Sequence, residues 1–285
     1  MAYAVITGAS GGIGRAIVER LLGEGWSVLL VARNASRLMQ LRQQLMQQLA
    51  IQDEQRIGWL ALDLQTPEAI TELQHFLQAR QRPLDLLVHA AGCQQFAWLE
   101  TQTDAQLQQQ VTLNLLAPLR LAQMALPFLG QHGTLVNIGS SFGEIGYPGF
   151  VPYCASKAGL AMLTEALARE VGPQGPRICL LAPRATDTEL NSAAVVAMNQ
   201  ALGNRSDPPQ RVADELMQLL AGRQTRRFIG WPEKLFVRLN RLLPGVVSQA
   251  LARQRSVIAR FANRSAPDSS QSHDPLHAQQ KETAK

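Results

Sequence analysis

The stretch AYAVITGASGGIGRAIVERLL (Ala2–Leu22) decides the fold. A short apolar run from Tyr3 to Ile6 enters the turn TGASGGIG. The chain leaves that turn with apolar residues at Ile13, Ile17, Leu21 and Leu22, the spacing of one helical face. Strand, glycine turn and helix in this order separate a dinucleotide fingerprint from an ordinary glycine-rich loop. Gly8, Gly12 and Gly14 suit a tight turn, close approach of backbone to a pyrophosphate, and close packing of helix on strand. The free N–H groups and positive dipole end of the helix start favour phosphate. No Gly-Lys-Ser/Thr follows, which argues against a nucleoside triphosphatase.

Outward from this unit the same alternation repeats. Strands are expected near 3–7, 26–32, 57–62, 84–90, 133–139, 177–182 and 226–230, with helices starting near 12, 35, 67, 104, 153 and 208. That order predicts an α/β fold, a Rossmann-type doubly wound parallel sheet. A chain of 285 residues with 46% hydrophobic composition can bury one sizeable core. We therefore expect one catalytic domain over 1–230, including a substrate loop at about 185–210, then a helical extension over 231–264.

A second motif lies in the middle of the chain. Tyr153 and Lys157 stand four residues apart in YCASK, with Ser140 upstream at the end of the apolar run TLVNIG. In a helix, residues i and i+4 share a face. A free tyrosine, with a pKa of about 10, is a poor acid–base group near neutrality. A fixed cation beside it favours the phenolate and is expected to pull that pKa down. Ser140 can donate to the same substrate oxygen. Alone, such a pair is also compatible with a surface lysine beside a half-buried tyrosine.

Taken together, TGASGGIG, Ser140, Tyr153 and Lys157 resemble the short-chain dehydrogenase/reductase family over about Ala2–Leu190. The resemblance implies an NADP(H)- or NAD(H)-dependent enzyme interconverting a ketone or aldehyde and an alcohol without a metal. By that likeness Ser140 orients the substrate, Tyr153 is the acid/base, and Lys157 lowers its pKa and holds the nicotinamide ribose. Asn114, in VTLNLLAP, would keep a water in the proton path. Cofactor contacts are implied at Gly8, Ser10, Gly12, Ile13 and Gly14, at Asp63 and Leu64 in LALDLQ, at Ala91 and Gly92, and at Pro183, Thr186 and Thr188. Two motifs depart from the family pattern. The usual NNAG is His89-Ala90-Ala91-Gly92, with His89 read as a hydrogen-bonding core residue, and the usual Pro-Gly is Pro183-Arg184, which puts a cation near the cofactor or substrate entrance. A catalytically silent NADP(H)-binding scaffold of the same fold is the alternative, which the full set of catalytic side chains argues against.

The second strand, WSVLLVARN, bears on cofactor choice. NAD-preferring enzymes end this strand with a carboxylate for the ribose hydroxyls. Here Ala32 is followed by Arg33, whose fork suits a 2′-phosphate, and Arg15 adds positive field, so NADP(H) is expected.

Cys93, Cys154 and Cys179 have no CxxC spacing and read as free thiols of a reducing compartment. Met1 runs straight into the first strand, so no secretory signal is expected, and no apolar stretch approaches the ~20 residues of a bilayer span. A cytoplasmic enzyme is expected, a homodimer or homotetramer by family likeness. In ATDTELNSAAVVAMNQALGNRSDPPQ, Val195, Val196, Met198 and Leu202 can close over substrate or pack on the body. A hydrophobic acyl, lipid-like or steroid-like substrate would suit them.

From Arg226 to Arg264 the chain carries nine Lys/Arg and one acidic residue, Glu233, a net +8 against +5 for the whole protein; the other 246 residues carry −3. Leu235, Phe236, Leu239, Leu242 and Leu243 share a helical face beside Lys234, Arg238 and Arg241, with Trp231 at the start. This basic amphipathic pattern fits packing on the core or a partner subunit, or docking to an anionic membrane surface at the inner face of the membrane. Nucleic acid is not expected, because no base-stacking aromatic array accompanies the charge. Residues 265–285 are polar and expected to be disordered; His273 and His277 there have no third ligand, and no metal site is expected.

Overall fold

The computed structural model describes residues 1–231 and 233–262. The tail expected to be disordered lies outside them. Strands β1 (Tyr3–Thr7), β2 (Ser27–Ala32), β3 (Ile57–Ala61), β4 (Leu86–His89), β5 (Thr134–Ile138), β6 (Arg177–Ala182) and β7 (Arg226–Phe228) form one sheet. All its pairings are parallel, in the order β3-β2-β1-β4-β5-β6-β7. This confirms the Rossmann-type sheet, with strand ends within a few residues of expectation.

Side chains alternate across the sheet with period two. Ala4, Ile6, Val28 and Leu30 face helices α1 (Gly12–Gly23), α2 (Ala35–Gln48) and α8 (Pro209–Ala221), burying Ile17, Leu38, Val212 and Leu216. Tyr3, Val5, Leu29 and Val31 face α3 (Pro67–Arg80) and the helix Asp104–Leu129, burying Leu73, Leu121 and Ala125. Covered on both faces, the inner strands read as continuous apolar runs.

The helix Asp104–Leu129 joins α4 (Asp104–Val111), a π-helical turn (Thr112–Leu116) and α5 (Ala117–Leu129). Its 26 residues are long and apolar enough to cross a bilayer, unlike the sequence expectation. Its apolar side is instead buried against the sheet through Leu113, Ala117, Leu121 and Ala125. The π turn, where Ala117 N–H bonds Thr112 O, aims Asn114 inward.

β1 pairs with β2 on one side and β4 on the other, so the winding reverses between β1 and β4. A crevice at the carboxyl ends of the strands at such a switch point is where ligands bind in open α/β sheets. Over this edge lie α6 (Val151–Val171), α7 (Ala193–Ala201), α9 (Glu233–Leu242) and α10 (Pro244–Ala262). A third apolar cluster ties α6, α7 and α10 together: Phe96, Phe150 and Tyr153 pack with Val195, Met198, Ile258 and Ala262.

Candidate active site

The glycine turn between β1 and α1 is built without room for side chains. Gly8 has φ +66°, and a Cβ there would fall 2.6 Å from Ala91 N; one on Gly14 would fall 2.2 Å from Gly8 O. This cradle opens into a cavity of about 1430 Å³ that extends to α10. Gly8, Ser10, Gly12, Ile13, Gly14, Arg33, Leu64, Ala91, Gly92, Pro183, Thr186 and Thr188 line it, as do Ser140, Tyr153 and Lys157. The structure thus brings together most of the residues singled out in the sequence. Asp63 stands outside the wall: it is exposed, and its Oδ1 accepts from Gln65 N at 3.2 Å, while Leu62 and Leu64 face the cavity.

The residues present fit a dinucleotide. The cradle admits only bare backbone, a helix N-terminus points into it, and the cavity is far longer than a small carbonyl compound needs. At its outer end Arg33, Asn34 and Arg37 line the wall beside Ala32, with no carboxylate at the end of β2. Arg37, in the first turn of α2, was missed in the sequence. Arg15 does not line the wall; its Nε is 2.9 Å from Glu19 Oε1.

On α6 the i, i+4 relation holds. The Lys157 ammonium sits 5.8 Å from the Tyr153 ring centre and donates to Ile138 O at 2.9 Å. Both side chains are buried. Burial pushes the Tyr153 phenol up to about 12, although its hydrogen bond with Ser140 pulls it down. The expectation that Lys157 would lower it is corrected for the chain by itself: desolvation wins. The same burial lowers Lys157 to about 8. Ser140 Oγ also accepts from Phe142 N at 3.1 Å, which fixes its rotamer.

Asn114 is fully buried and does not line the cavity. Its amide brackets Cys93, accepting from Cys93 N at 2.9 Å and donating to Cys93 O at 2.8 Å, and it donates to Ser156 Oγ at 3.1 Å. It therefore holds the β4 loop against α6. In that loop His89 replaces an amide side chain. Its Nδ1 lies 3.4 Å from Thr7 Oγ1, and Thr7 Oγ1 accepts from Ala91 N at 3.3 Å. Burial, with the Lys157 charge second, lowers the His89 pKa to about 3, so the ring is neutral. His89 is a core residue.

Arg184 lines the cavity near its rim, where Nη1 donates to Trp231 O at 3.3 Å. Its guanidinium grips Asp207, a residue the sequence did not flag because nothing near it in the chain marks it. A bridge between Thr186 and Asp207 closes the base of the same loop. Beyond it Val195 and Met198 face the cavity, while Val196 is exposed.

Beside Tyr153 the wall is aromatic: the Phe142 and Phe150 rings meet the Tyr153 ring edge-on at 6.5 and 6.4 Å. Phe142 stacks on Tyr147 at 4.7 Å, Phe150 meets Phe142 at 5.3 Å, and Leu239, Val247 and Leu251 of the C-terminal helices close the far side. All three cysteines are free, and no cluster of three or more His, Cys, Asp or Glu able to hold a metal occurs among the described residues.

A parallel sheet with a glycine cradle at its switch point and a Ser–Tyr–Lys wall defines a nicotinamide-dependent oxidoreductase of the short-chain type. Residues 2–198 match the short chain dehydrogenase family, and the chain belongs to it. The 3-oxoacyl-acyl-carrier-protein reductase of Escherichia coli (strain K12) is 30% identical over 194 residues, covering 67% of this chain and 75% of its own. A short-chain dehydrogenase from Sphingobium yanoikuyae in complex with NADPH superposes with TM-score 0.72 at 26% identity, over 87% of this chain and 96% of its own. The bulky-bulky ketone specific alcohol dehydrogenase from Comamonas testosteroni gives TM-score 0.70 at 26% identity, over 87% and 94%.

Proposed function

We propose that the protein is an NADP(H)-dependent oxidoreductase that interconverts a hydrophobic ketone or aldehyde and its alcohol. The observation that carries this reading is the placement of Ser140, Tyr153 and Lys157 in the lining of one cavity that the apolar Phe142, Phe150, Val195 and Met198 also line. Arg33 and Arg37 favour a 2′-phosphate, since arginine forks match phosphate geometry. The NADPH complex of the Sphingobium relative is consistent with that choice.

The bound nicotinamide would supply or accept the hydride. Ser140 and Tyr153 hydroxyls donate to the substrate oxygen and polarise the carbonyl. With a pKa of about 12, Tyr153 carries its proton at neutral pH and can give it up as negative charge grows on that oxygen. The Lys157 ammonium stabilises the phenolate left behind. Thr186 and Thr188 are assigned to the nicotinamide amide and phosphates, and Leu64 to the adenine side. Asn114 keeps the β4 loop and the proton path in place.

An acyl, lipid-like or steroid-like carbonyl compound matches the wall of Phe142, Phe150, Val195 and Met198. The names of the Escherichia coli and Comamonas relatives, which specify 3-oxoacyl and bulky ketone substrates, agree with it. Exposed Val111, Leu119 and Met162 on neighbouring helices support a homodimer or homotetramer, and we assign the enzyme to the cytoplasm. The catalytic unit is taken as 1–230 and the extension as 231–264, whose helices α9 and α10 line the cavity through Phe236, Leu239, Val247 and Leu251.

NADPH oxidation measured against a panel of ketones and aldehydes tests the reading, with Tyr153→Phe as the control. The variant keeps the ring and should lose roughly two to four orders of magnitude in turnover while still binding NADPH. A wild-type protein that binds NADPH and turns over nothing on the panel would be a silent scaffold.

A further inference from the structure

The α9 helix is mounted in reverse. On a soluble body, an amphipathic helix ordinarily turns its apolar stripe to the core. α9 instead meets the body through Val237, 3% exposed, and through polar groups. Asn240 Nδ2 donates to Glu144 O at 2.8 Å, and Arg241 Nη2 lies 2.7 Å from Glu144 Oε2. At about 100° per residue, the side opposite Val237 holds Leu235, Leu239, Leu242 and Leu243. Leu242 is 79% exposed and Leu235 50%. Of the two readings of this face, packing on the body holds only for Leu239, which lines the cavity, while Leu235, Leu242 and Leu243 stay exposed.

The exposed ridge runs into the substrate cavity. Trp231, 70% exposed, and the exposed Phe236 and Val246 also line that cavity, so they form its rim. Exposed Arg238, Arg253 and Arg260 lie on the same two helices. Three other cations of the segment are already paired: Arg226 with Glu144 and Glu165, Arg227 with Glu215, and Arg241 with Glu144. Glu144, the carboxylate that anchors α9, is thereby neutralised.

Charge selects the occupant. A second copy across a two-fold axis would present the same face, setting the exposed Arg238, Arg253 and Arg260 of one copy against those of the other. An anionic bilayer offers opposite charge for the arginines and an apolar phase for Leu235, Leu242 and Trp231.

We infer that the α9–α10 face docks on an anionic lipid bilayer with the cavity rim against the acyl region, so that a long-chain carbonyl substrate enters from the membrane rather than from water. The docking stands on the exposed ridge and its charge; only the substrate route rests on the reductase reading above.

The test uses the full chain and the double variant Leu235→Glu/Leu242→Glu. Both side chains are half-exposed or more and neither lines the cavity, so the fold and the chemistry should persist, checked by a thermal melt. Wild type should co-sediment with phosphatidylglycerol vesicles, tenfold less with phosphatidylcholine vesicles, and release as salt is raised. The variant should bind at least tenfold more weakly. With NADPH, reduction of ethyl 3-oxohexadecanoate held in the anionic vesicles should fall tenfold or more in the variant, while reduction of water-soluble ethyl 3-oxobutanoate stays unchanged. Wild type that ignores anionic vesicles overturns the docking. Wild-type self-association abolished by the double variant would overturn it too, by assigning the ridge to a second copy. If vesicles bind but both esters lose activity equally in the variant, the route fails. If neither ester is reduced while vesicles bind, the reductase reading or its substrate class fails and the docking stands.

Discussion

Arg184 holds Asp207 in a two-pronged grip, its Nε and Nη2 each 2.8 Å from a carboxylate oxygen. Asp207 is buried, and Arg211 reaches the same carboxylate at 2.9 Å. The backbone repeats the closure: Asp207 N–H donates to Ala185 O at 2.8 Å, and Asp187 N–H to Asp207 O at 2.9 Å. The loop bearing Thr186, Thr188 and α7 is therefore fastened at its base by an arginine standing where the family usually has glycine.

Removing one partner leaves a charge in a site built for a pair, which costs about 3–5 kcal/mol when both are buried and less here, where Arg184 retains some exposure. Asp207→Asn should lower Tm by several degrees and raise KM for NADPH, because Thr186 and Thr188 lose their frame. The double variant Arg184→Gly/Asp207→Asn should be less destabilised than the sum of the singles. Additive melts across the cycle would show that the pair is not coupled.

Cofactor choice is expected to respond to Arg33. Arg33→Asp replaces a phosphate partner with a group that repels phosphate and accepts from ribose hydroxyls. KM for NADPH should rise and the NADPH/NADH ratio of kcat/KM should fall or invert, with kcat little changed. Equal use of both cofactors by the wild type would defeat the assignment before any mutation is made.

The pH profile of carbonyl reduction should carry the mark of Lys157. Tyr153, held up at about 12, stays protonated through the neutral range, whereas Lys157, lowered to about 8, loses its charge just above it. kcat/KM should therefore decline above pH ~8. Lys157→Arg, slower overall because the fork fits the pocket poorly, keeps its charge and should push that limb to higher pH. A limb that stays near 8 in the variant would assign it to another group.

His89 makes a prediction for stability. Its folded pKa, about 3, lies below its ordinary 6.5, so the unfolded chain binds the extra proton between those values. Stability is thus retained above pH 6.5 and lost as pH falls toward 3, by at most about 1.4 kcal/mol per unit. Asp207, also lowered in the fold, acts only below its ordinary 3.8. Chemical denaturation between pH 6.5 and 5 should show a shallower slope for His89→Asn than for wild type. Parallel slopes would mean that His89 is already solvated or charged in the native state.

The sheet and the catalytic trio were legible because their signals are local. TGASGGIG marks its turn by residues that no side chain could replace, Tyr153 and Lys157 are one helical turn apart, and strands covered on both faces announce themselves as apolar runs. Arg37 lies in the first turn of α2, just past Arg33 and the end of β2, so its nearness to that wall is local information too. The reach of Asn114, by contrast, depends on a π turn that composition does not signal. Its partner Cys93 lies 21 residues away.

Fold, family motifs and the candidates for the proton donor and its cation were determined by the sequence itself, since short-range spacing and hydrophobic period are properties of the chain. The tertiary structure alone decided which way each group's chemistry leans. Tyr153 rises and Lys157 falls because both are buried, and burial exists only after packing. Arg184 becomes a clasp because Asp207, 23 residues on, folds back beneath it. The polar side of α9 turns inward because Glu144, 97 residues before Arg241, waits there for it. An amphipathic pattern specifies two faces; long-range pairing and desolvation choose which one meets water.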